Sequence, residues 1–308
     1  MPEITEVLVT SHFLLTKIKN RYISKVDILS GRYTHQTIEG LSNFEKNLPA
    51  KIKNIGTKGK LLWFELENSL KEPVWLLCNF GLTGEWGFAA KNNARLKFKI
   101  INKDSDKTYN LYFLDDRNFG IIMFTNNREV FNERINKLAR DYIKESFTNG
   151  EFYNAVKKFI EEKPRNKDKL LVKFLMDQNK GDTVGSGIGN YIAAETMYEA
   201  KLSPYRTIGS LTKREIEKLN ESIKKIIKIS YLNNKIGYME RISDYIDRHK
   251  EQIKKGKFPN YLPDIKIKDN EEFEFRVYQQ DIDKLGNKIQ SDKIITGRTT
   301  YWVPSVQK

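Results

Sequence analysis

The chain has 308 residues, 39% hydrophobic and 12% aromatic, and its 54 Lys and Arg outweigh 40 Asp and Glu to give a formal net charge of +14. The length exceeds one compact core and the apolar content excludes wholesale disorder, so two globular domains are expected. The positive charge points to a polyanionic partner, nucleic acid ahead of an anionic membrane surface, because no stretch is long and apolar enough to span a bilayer and no basic helix carries a continuous lipid-facing stripe.

The first predicted element is a helix over residues 3–20, where Ile4, Val7, Leu8, Leu14, Leu15 and Ile18 fall at roughly helical spacing. Between Tyr22 and Thr125 come short β-rich runs, at 60–67, 74–80, 94–101, 108–115 and 120–124. Several strands at this spacing predict an antiparallel sandwich or barrel. After Asn126 the periodicity turns helical, with helices expected over 129–142, 150–162, 170–179, 190–201 and 211–231. The turn-prone Asn126-Asn127-Arg128 marks the domain boundary. A polar, lysine-rich stretch over 233–270, with Pro259 and Pro263, reads as a surface excursion. The tail returns to strands at 273–280 and 294–303, joined as a β-hairpin through Gly286-Asn287.

Cys78 is the only cysteine. It excludes an intrachain disulfide and fits a reducing, intracellular compartment, as does the absence of a signal-peptide core around Glu3 and Glu6. With His12, His35 and His249 scattered, no Cys/His zinc site can be assembled, although counting leaves carboxylate metal chemistry open.

Six local patterns carry chemistry. Removal of Met1 from Met1-Pro2-Glu3 would leave a secondary amine beside a carboxylate. Such an amine attacking a sugar carbon forms an iminium that is cationic without a proton, and an α-amino pKa of about 8 leaves a neutral fraction at physiological pH. Many unrelated chains also begin Met-Pro. Thr57-Lys58-Gly59-Lys60 presents a lysine at the start of a strand without the spacing of a phosphate-binding P-loop; a solvated turn lysine is the plain alternative. Phe80-Gly81-Leu82-Thr83-Gly84 places Leu82 on a tight loop, to wedge between bases or to fill the core. Asp115-Asp116-Arg117-Asn118-Phe119-Gly120 offers a cation and an aromatic at alternate positions, to enter a base stack or, for Phe119, to cap the sandwich. Val184-Gly185-Ser186-Gly187-Ile188-Gly189-Asn190 lies between helices and so is no dinucleotide fingerprint. It would expose backbone N–H groups to a phosphate, with Asn190 as cap or ligand, or form a simple turn. Finally, Arg298 near the last hairpin could grip a phosphate bidentately or be an ordinary surface arginine.

Taken together and in this order, the motifs resemble the formamidopyrimidine-DNA glycosylase and endonuclease VIII family of DNA repair enzymes, from residue 2 to the end. Phe174-Leu175-Met176-Asp177-Gln178, Gly187-Ile188-Gly189-Asn190 and Ser203-Pro204-Tyr205-Arg206 resemble its helix-two-turn-helix. The resemblance implies an α+β multidomain fold. Residues 1–126 would form a catalytic β-sandwich with a leading helix, 127–270 a helical helix-two-turn-helix DNA-binding domain, and 271–308 a β-hairpin finger. It further implies that Pro2 attacks C1′ of a damaged nucleotide with Glu3 as proton donor, and that Lys60 contacts phosphate and assists β-elimination. Asn190 and Arg298 would clamp phosphates, Arg298 also serving δ-elimination. Leu82, Arg117 and Phe119 would fill the gap left by a flipped nucleotide. Arg95, in the place of a DNA-contacting histidine, and Lys173 complete the implied DNA-binding set. The implied partner is damaged double-stranded DNA, with single-stranded DNA left open, and a monomer without metal or other cofactor is expected.

The departures are as informative. Ile282, Leu285, Val303 and Val306 stand at the spacing of the family's four zinc cysteines, so the finger resembles the zincless finger of an endonuclease VIII-like branch, with a small hydrophobic contact between the pairs expected in place of metal. Thr5 stands where a proline is common. No glycine- and hydroxyl-rich counterpart of the purine-recognition loop lies between Tyr231 and Phe273. Oxidised pyrimidines and ring-opened or hydantoin lesions are therefore expected ahead of oxidised guanine, with an oxidised-purine glycosylase as the alternative. A non-catalytic binder of damaged DNA is the rival from another class.

Overall fold

Alternating apolar residues build the first part of the chain into strands. The computed structural model describes residues 2–103, 105–256, 263–268 and 271–308. They form two units, Pro2 with Glu6–Asn136, and Glu3–Thr5 with Lys137–Lys308.

In the first unit, α1 (Ile4–Ile18) buries Val7, Leu8, Leu14 and Ile18. Strands β1 (Tyr22–Ile28), β2 (Ala50–Lys58), β3 (Leu61–Glu67), β4 (Pro73–Asn79), β5 (Glu85–Gly87), β6 (Ala94–Asn102), β7 (Ser105–Leu114) and β8 (Ile121–Thr125) follow. Helix α2 (Leu41–Lys46) interrupts them and α3 (Arg128–Lys137) succeeds them. The strands make one antiparallel sheet in the order β5-β7-β6-β1-β2-β3-β4-β8. Phe64 on β3 and Trp86 on β5 stand five ladder steps apart, about 24 Å in a flat sheet at about 4.8 Å per step. Their ring centroids are nevertheless 5.1 Å apart. The sheet therefore folds over on itself around Phe64, Trp86, Phe98 and Phe113, and the two-layered shape comes from a single continuous ladder.

The second unit is helical around β9 (Arg140–Asp141), α4 (Asn149–Glu162), α5 (Leu171–Met176), β10 (Gly185–Ser186), α6 (Asn190–Ala200), α7 (Lys213–Asn233), α8 (Ser243–Lys254), β11 (Gln290–Ile295) and β12 (Arg298–Trp302). Helices α4 and α7 open with reciprocal capping boxes, Thr148 with Glu151 and Thr212 with Glu215, which satisfy amides that the helix itself cannot. Helix α6 is buried on every side from Tyr191 to Met197, as a central helix must be.

Three elements differ from the sequence expectation, each for a reason written in its hydrogen bonds. The helix expected over 129–142 stops at Lys137, because Ala139 N–H bonds to the Gln178 carbonyl (2.9 Å) and Arg140–Asp141 pairs in parallel with Gly185–Ser186. Residues 273–280 form no strand: the Val277 and Tyr278 amides both donate to the Glu195 carboxylate, each at 3.0 Å, and have no ladder partner. The hairpin is instead β11–β12, turning at Thr296-Gly297 with Gly297 at φ +74 and Ile295 opposite Arg298. Gly286-Asn287 belongs to a separate loop.

The polar stretch after Asn233 holds α8, whose Tyr245, Ile246, His249 and Ile253 are buried at helical spacing. His249 packs edge-on to Tyr231 (centroids 5.2 Å), with 3.3 Å between its Nε2 and the Tyr231 hydroxyl. Burial pushes His249 down to about 4, from an ordinary value of about 6.5. The unfolded chain therefore takes up this proton first. Stability from this group is complete above about pH 6.5 and is lost as pH falls towards 4, on the order of 3 kcal/mol in all. Urea unfolding at pH 7.5 and 4.5 should show a shallower pH dependence for His249→Phe than for the wild type. Equal slopes would refute the assignment.

Candidate functional site

In the second unit, the start of α6 is built to receive residue 3. The Glu3 carboxylate accepts hydrogen bonds from the backbone N–H groups of Gly189 (2.6 Å), Tyr191 (2.9 Å) and Ile192 (3.3 Å). These are helix N-terminal amides without partners inside the helix, and the dipole there favours a negative group. The glycines provide the room. A Cβ on Gly189 would lie 2.4 Å from the Glu3 carboxyl carbon, and one on Gly187, at φ +113, would lie 2.5 Å from Ile4. The phosphate cradle expected in this glycine-rich stretch is thus corrected: Glu3 already engages these amides. Gln178 holds the same connection from behind, donating to the Ile188 carbonyl (2.9 Å) and accepting from Gly187 N–H (2.7 Å). Thr5 joins Tyr191 and Ser230 in a buried hydroxyl triangle with sides of 2.9, 3.0 and 3.0 Å.

Asn190 is the first residue of α6 rather than its cap, and its Nδ2 donates to the Thr299 carbonyl at 2.8 Å. That bond fixes β12 one residue from Arg298. Tyr278 shares this corner. Burial pushes its phenol up and the Glu3 charge adds to the effect, while the Asn190 hydrogen bond and the Arg298 charge pull the other way. Glu195, buried on α6, holds Tyr278 by the two amides already described and by Arg276, whose Nε reaches Glu195 at 3.1 Å and whose guanidinium reaches Glu199 at 2.5 Å. Burial pushes Glu195 up against the pull of Arg276. Lys173 stands exposed on α5, whose other early residues are buried.

The first unit presents a different surface. Asp115, buried, accepts from the Thr83 hydroxyl and from Arg117 N–H (3.3 Å) at one oxygen and from Gly120 N–H (2.7 Å) at the other. Thr83 Oγ1 also accepts from Arg117 N–H at 3.0 Å. Gly81, at φ +62, comes so close that a Cβ there would lie 2.6 Å from the Phe119 backbone. The loops at 81–84 and 115–120 are thereby one platform, on which Leu82 is half-buried, Arg117 exposed and Phe119 56% exposed. Arg95 braces it from below, donating to the Asp115 carbonyl (2.7 Å) and to Ser30 Oγ (2.8 Å). Lys60 sits in the two-residue turn between β2 and β3, after Gly59 at φ +54. Glycine in the first central position suits such a hairpin.

The structure thus gathers Glu3, Asn190 and Arg298 in one unit and Leu82, Arg117, Phe119 and Arg95 in the other. Lys60 lies on the β2–β3 turn of the first unit, Lys173 is exposed on α5 of the second, and Pro2 is buried immediately before Glu3. Sequence reasoning missed Tyr278, Glu195 and Asp115. Asp115 lay inside a motif already singled out. Glu195 gave one usable signal, an acidic residue in the mostly apolar run from Tyr191 to Met197.

The finger does not fit a metal. Ile282, Leu285, Val303 and Val306 have no donor atoms, and among the described residues no group of three or more His, Cys, Asp and Glu could hold an ion. The hydrophobic contact expected between the two pairs is also corrected. Val303 is buried against Ala194, Val277 and Ile289 with Val306 beside it, whereas Ile282 is 61% and Leu285 78% exposed.

Three family profiles match the chain: the formamidopyrimidine-DNA glycosylase N-terminal domain over residues 1–122, its H2TH domain over 138–240 and its C-terminal domain over 263–308. A formamidopyrimidine-DNA glycosylase of Wolbachia sp. subsp. Brugia malayi (strain TRS) is 30% identical over 225 residues, covering 73% of this chain and 76% of that protein. One of Prochlorococcus marinus (strain MIT 9301) is 28% identical with all of both chains covered. Among solved structures, wild-type Lactococcus lactis Fpg (MutM) in complex with DNA containing an oxidised pyrimidine has a TM-score of 0.72 at 19% identity, covering 100% of each chain. MutM (Fpg) of Thermus thermophilus has a TM-score of 0.69 at 19% identity, covering 99% of this chain and 98% of that one. At this identity the likeness establishes the fold.

Proposed function

The chain belongs to the formamidopyrimidine-DNA glycosylase family, and from that membership we propose that it excises oxidised bases from damaged DNA through a Schiff base on Pro2. The family makes it a base excision repair enzyme, a DNA glycosylase with abasic-site lyase activity. With Met1 removed, the Glu3 carboxylate takes a proton from the Pro2 ammonium, the neutral amine attacks C1′, the N-glycosidic bond breaks, and the base leaves with the bonding pair and that proton from Glu3. The C1′–O4′ bond then opens, O4′ taking the proton that the Pro2 nitrogen releases, and the resulting iminium acidifies C2′–H. Loss of that proton sends its electron pair towards the iminium and expels the 3′ phosphate, with Lys60 on the phosphate. A second elimination, with Arg298 and Asn190 holding the backbone, expels the 5′ phosphate. No oxidant or reductant is consumed.

The observation that carries the reading is the lock on Glu3. The carboxylate beside the amine is held by three amides of α6, and the first side chain of that helix holds the strand of Arg298. Such prior placement of reacting groups is a large part of catalytic advantage. Leu82, Arg117 and Phe119 serve as the wedge and Arg95 as its brace, with Lys173 a further backbone contact.

Ring-opened bases are the substrates common to the pyrimidine and purine readings, and the relatives' names favour formamidopyrimidines. We assign these as the first substrate. Oxidised pyrimidines come second, supported by the lack of a glycine- and hydroxyl-rich run between Tyr231 and Phe273. Borohydride treatment of the processed protein with duplexes bearing one lesion each should trap a covalent adduct, strongest with formamidopyrimidine. A non-catalytic DNA binder would give no trapped band with any of them.

A further inference from the structure

The loop at 281–289 is shaped around one carboxylate. Asp283, 5% exposed, accepts from Leu285 N–H (2.9 Å), Asn287 N–H (2.8 Å) and the Asn287 side chain (3.2 Å) at Oδ1. At Oδ2 it accepts from the same amide group (2.9 Å) and from the Tyr198 hydroxyl on α6 (2.9 Å). Asn287 Oδ1 in turn accepts from Ser305 Oγ at 3.2 Å, beyond the end of β12. The backbone agrees with the side chains: Asp283 N–H bonds to the Asn287 carbonyl at 3.0 Å, Gly286 N–H to the Asp283 carbonyl at 3.0 Å, and Ile289 N–H to the Asp281 carbonyl at 2.9 Å. Ile289 is buried on Ala194 of α6, and β11 begins at the next residue. One carboxylate therefore ties together the loop, the central helix and both ends of the hairpin.

We propose that Asp283 is a positioning residue for the step that uses Arg298, anchoring the base of β11–β12 on α6 so that the turn carrying Arg298 stays beside the Thr299–Asn190 bond. The inference rests on the function proposed above. Its physical basis is the cost of leaving buried donors unmet: without the carboxylate, two amides, a carboxamide and a phenol lose their acceptor together, and the loop must open to find water. The opening propagates first into β11, which is covalently next, and from there into its partner strand, β12. Glu3 is held by different bonds and should be spared.

The test compares wild type, Asp283→Ala and the milder Tyr198→Phe, which cuts only the tie to α6. Three quantities are read: amide hydrogen exchange across 298–302, the ratio of δ- to β-elimination product on an abasic duplex, and the borohydride-trapped yield. In Asp283→Ala, exchange in β12 should rise and the δ/β ratio fall by about tenfold or more, with trapping within about twofold of wild type. Tyr198→Phe should move both in the same direction by less. The proposal is overturned if folded Asp283→Ala leaves β12 exchange and the product ratio unchanged, or if exchange rises throughout 137–308 and trapping falls in step, the mark of general loosening. If Asp283→Ala does not fold, an unchanged Tyr198→Phe overturns the proposal and a partial shift of both readouts supports it. Wild type that traps nothing refutes the glycosylase reading instead, and the exchange data still decide whether Asp283 anchors the hairpin.

Discussion

Protein that keeps Met1, or carries a tag ahead of Pro2, should lose strand cleavage by about a thousandfold or more, roughly 4 kcal/mol of transition-state stabilisation, while its affinity for damaged duplex stays within about twofold. The nitrogen of residue 2 is then part of a peptide bond. Its lone pair is delocalised into the carbonyl, and it can neither attack C1′ nor become an iminium. The residues assigned to phosphate and stack contacts are untouched by the extension, which is why binding and chemistry should separate. Mass spectrometry of the N-terminus, borohydride trapping and a salt titration of binding on one preparation make the comparison. Cleavage at the wild-type rate from an extended protein would move the nucleophile to a lysine, Lys60 being the first to test.

Gly189→Ala should cut excision of an oxidised base by about a hundredfold or more, yet cost less than about fivefold on a duplex whose base is already missing. The new methyl would sit 2.4 Å from the Glu3 carboxyl carbon, so the carboxylate must leave the α6 amides or α6 must shift. Either displaces the proton source for the departing base, and a pre-formed abasic site has no base to protonate. Gly150→Ala is the matched control, because its Cβ would meet nothing within 4 Å and it lies in the first turn of α4. Folded Gly189→Ala that excises at the wild-type rate would remove Glu3 from the proposed chemistry. An equal loss on the abasic duplex would mean that the amine itself had been misplaced.

Much of this fold is local in origin, and that part was legible. Strand alternation such as Leu62, Phe64 and Leu66 against Trp63 and Glu65, and the isoleucine spacing of α7, fix which residues face inwards wherever the neighbours lie. The remainder depends on partners distant in sequence. Phe273, Phe275 and Tyr278 look like a strand, but their rings gather around Tyr191 and the amides of 277 and 278 go to Glu195, which is visible only once α6 is in place. Spacing alone likewise paired Ile282 and Leu285 with Val303 and Val306. The carboxylate of Asp283 turns its own loop inwards and those two apolar neighbours out. The site divides the same way. Glu3 and Asn190 could be singled out as residues, but that the first caps the helix started by the second could not.

The platform beneath Leu82, Arg117 and Phe119, the wedge we propose, bears on how fast it can search. Two separate flexible loops would have to be ordered at every encounter with DNA, at roughly 1–2 kcal/mol per residue fixed. Here Thr83, Asp115 and Gly120 settle the backbone during folding, so only side-chain rotamers remain to be chosen at the helix surface. A rigid probe of this kind can be pressed into successive base steps and withdrawn without refolding between them, which makes rapid interrogation of intact DNA compatible with deep insertion at a weakened step.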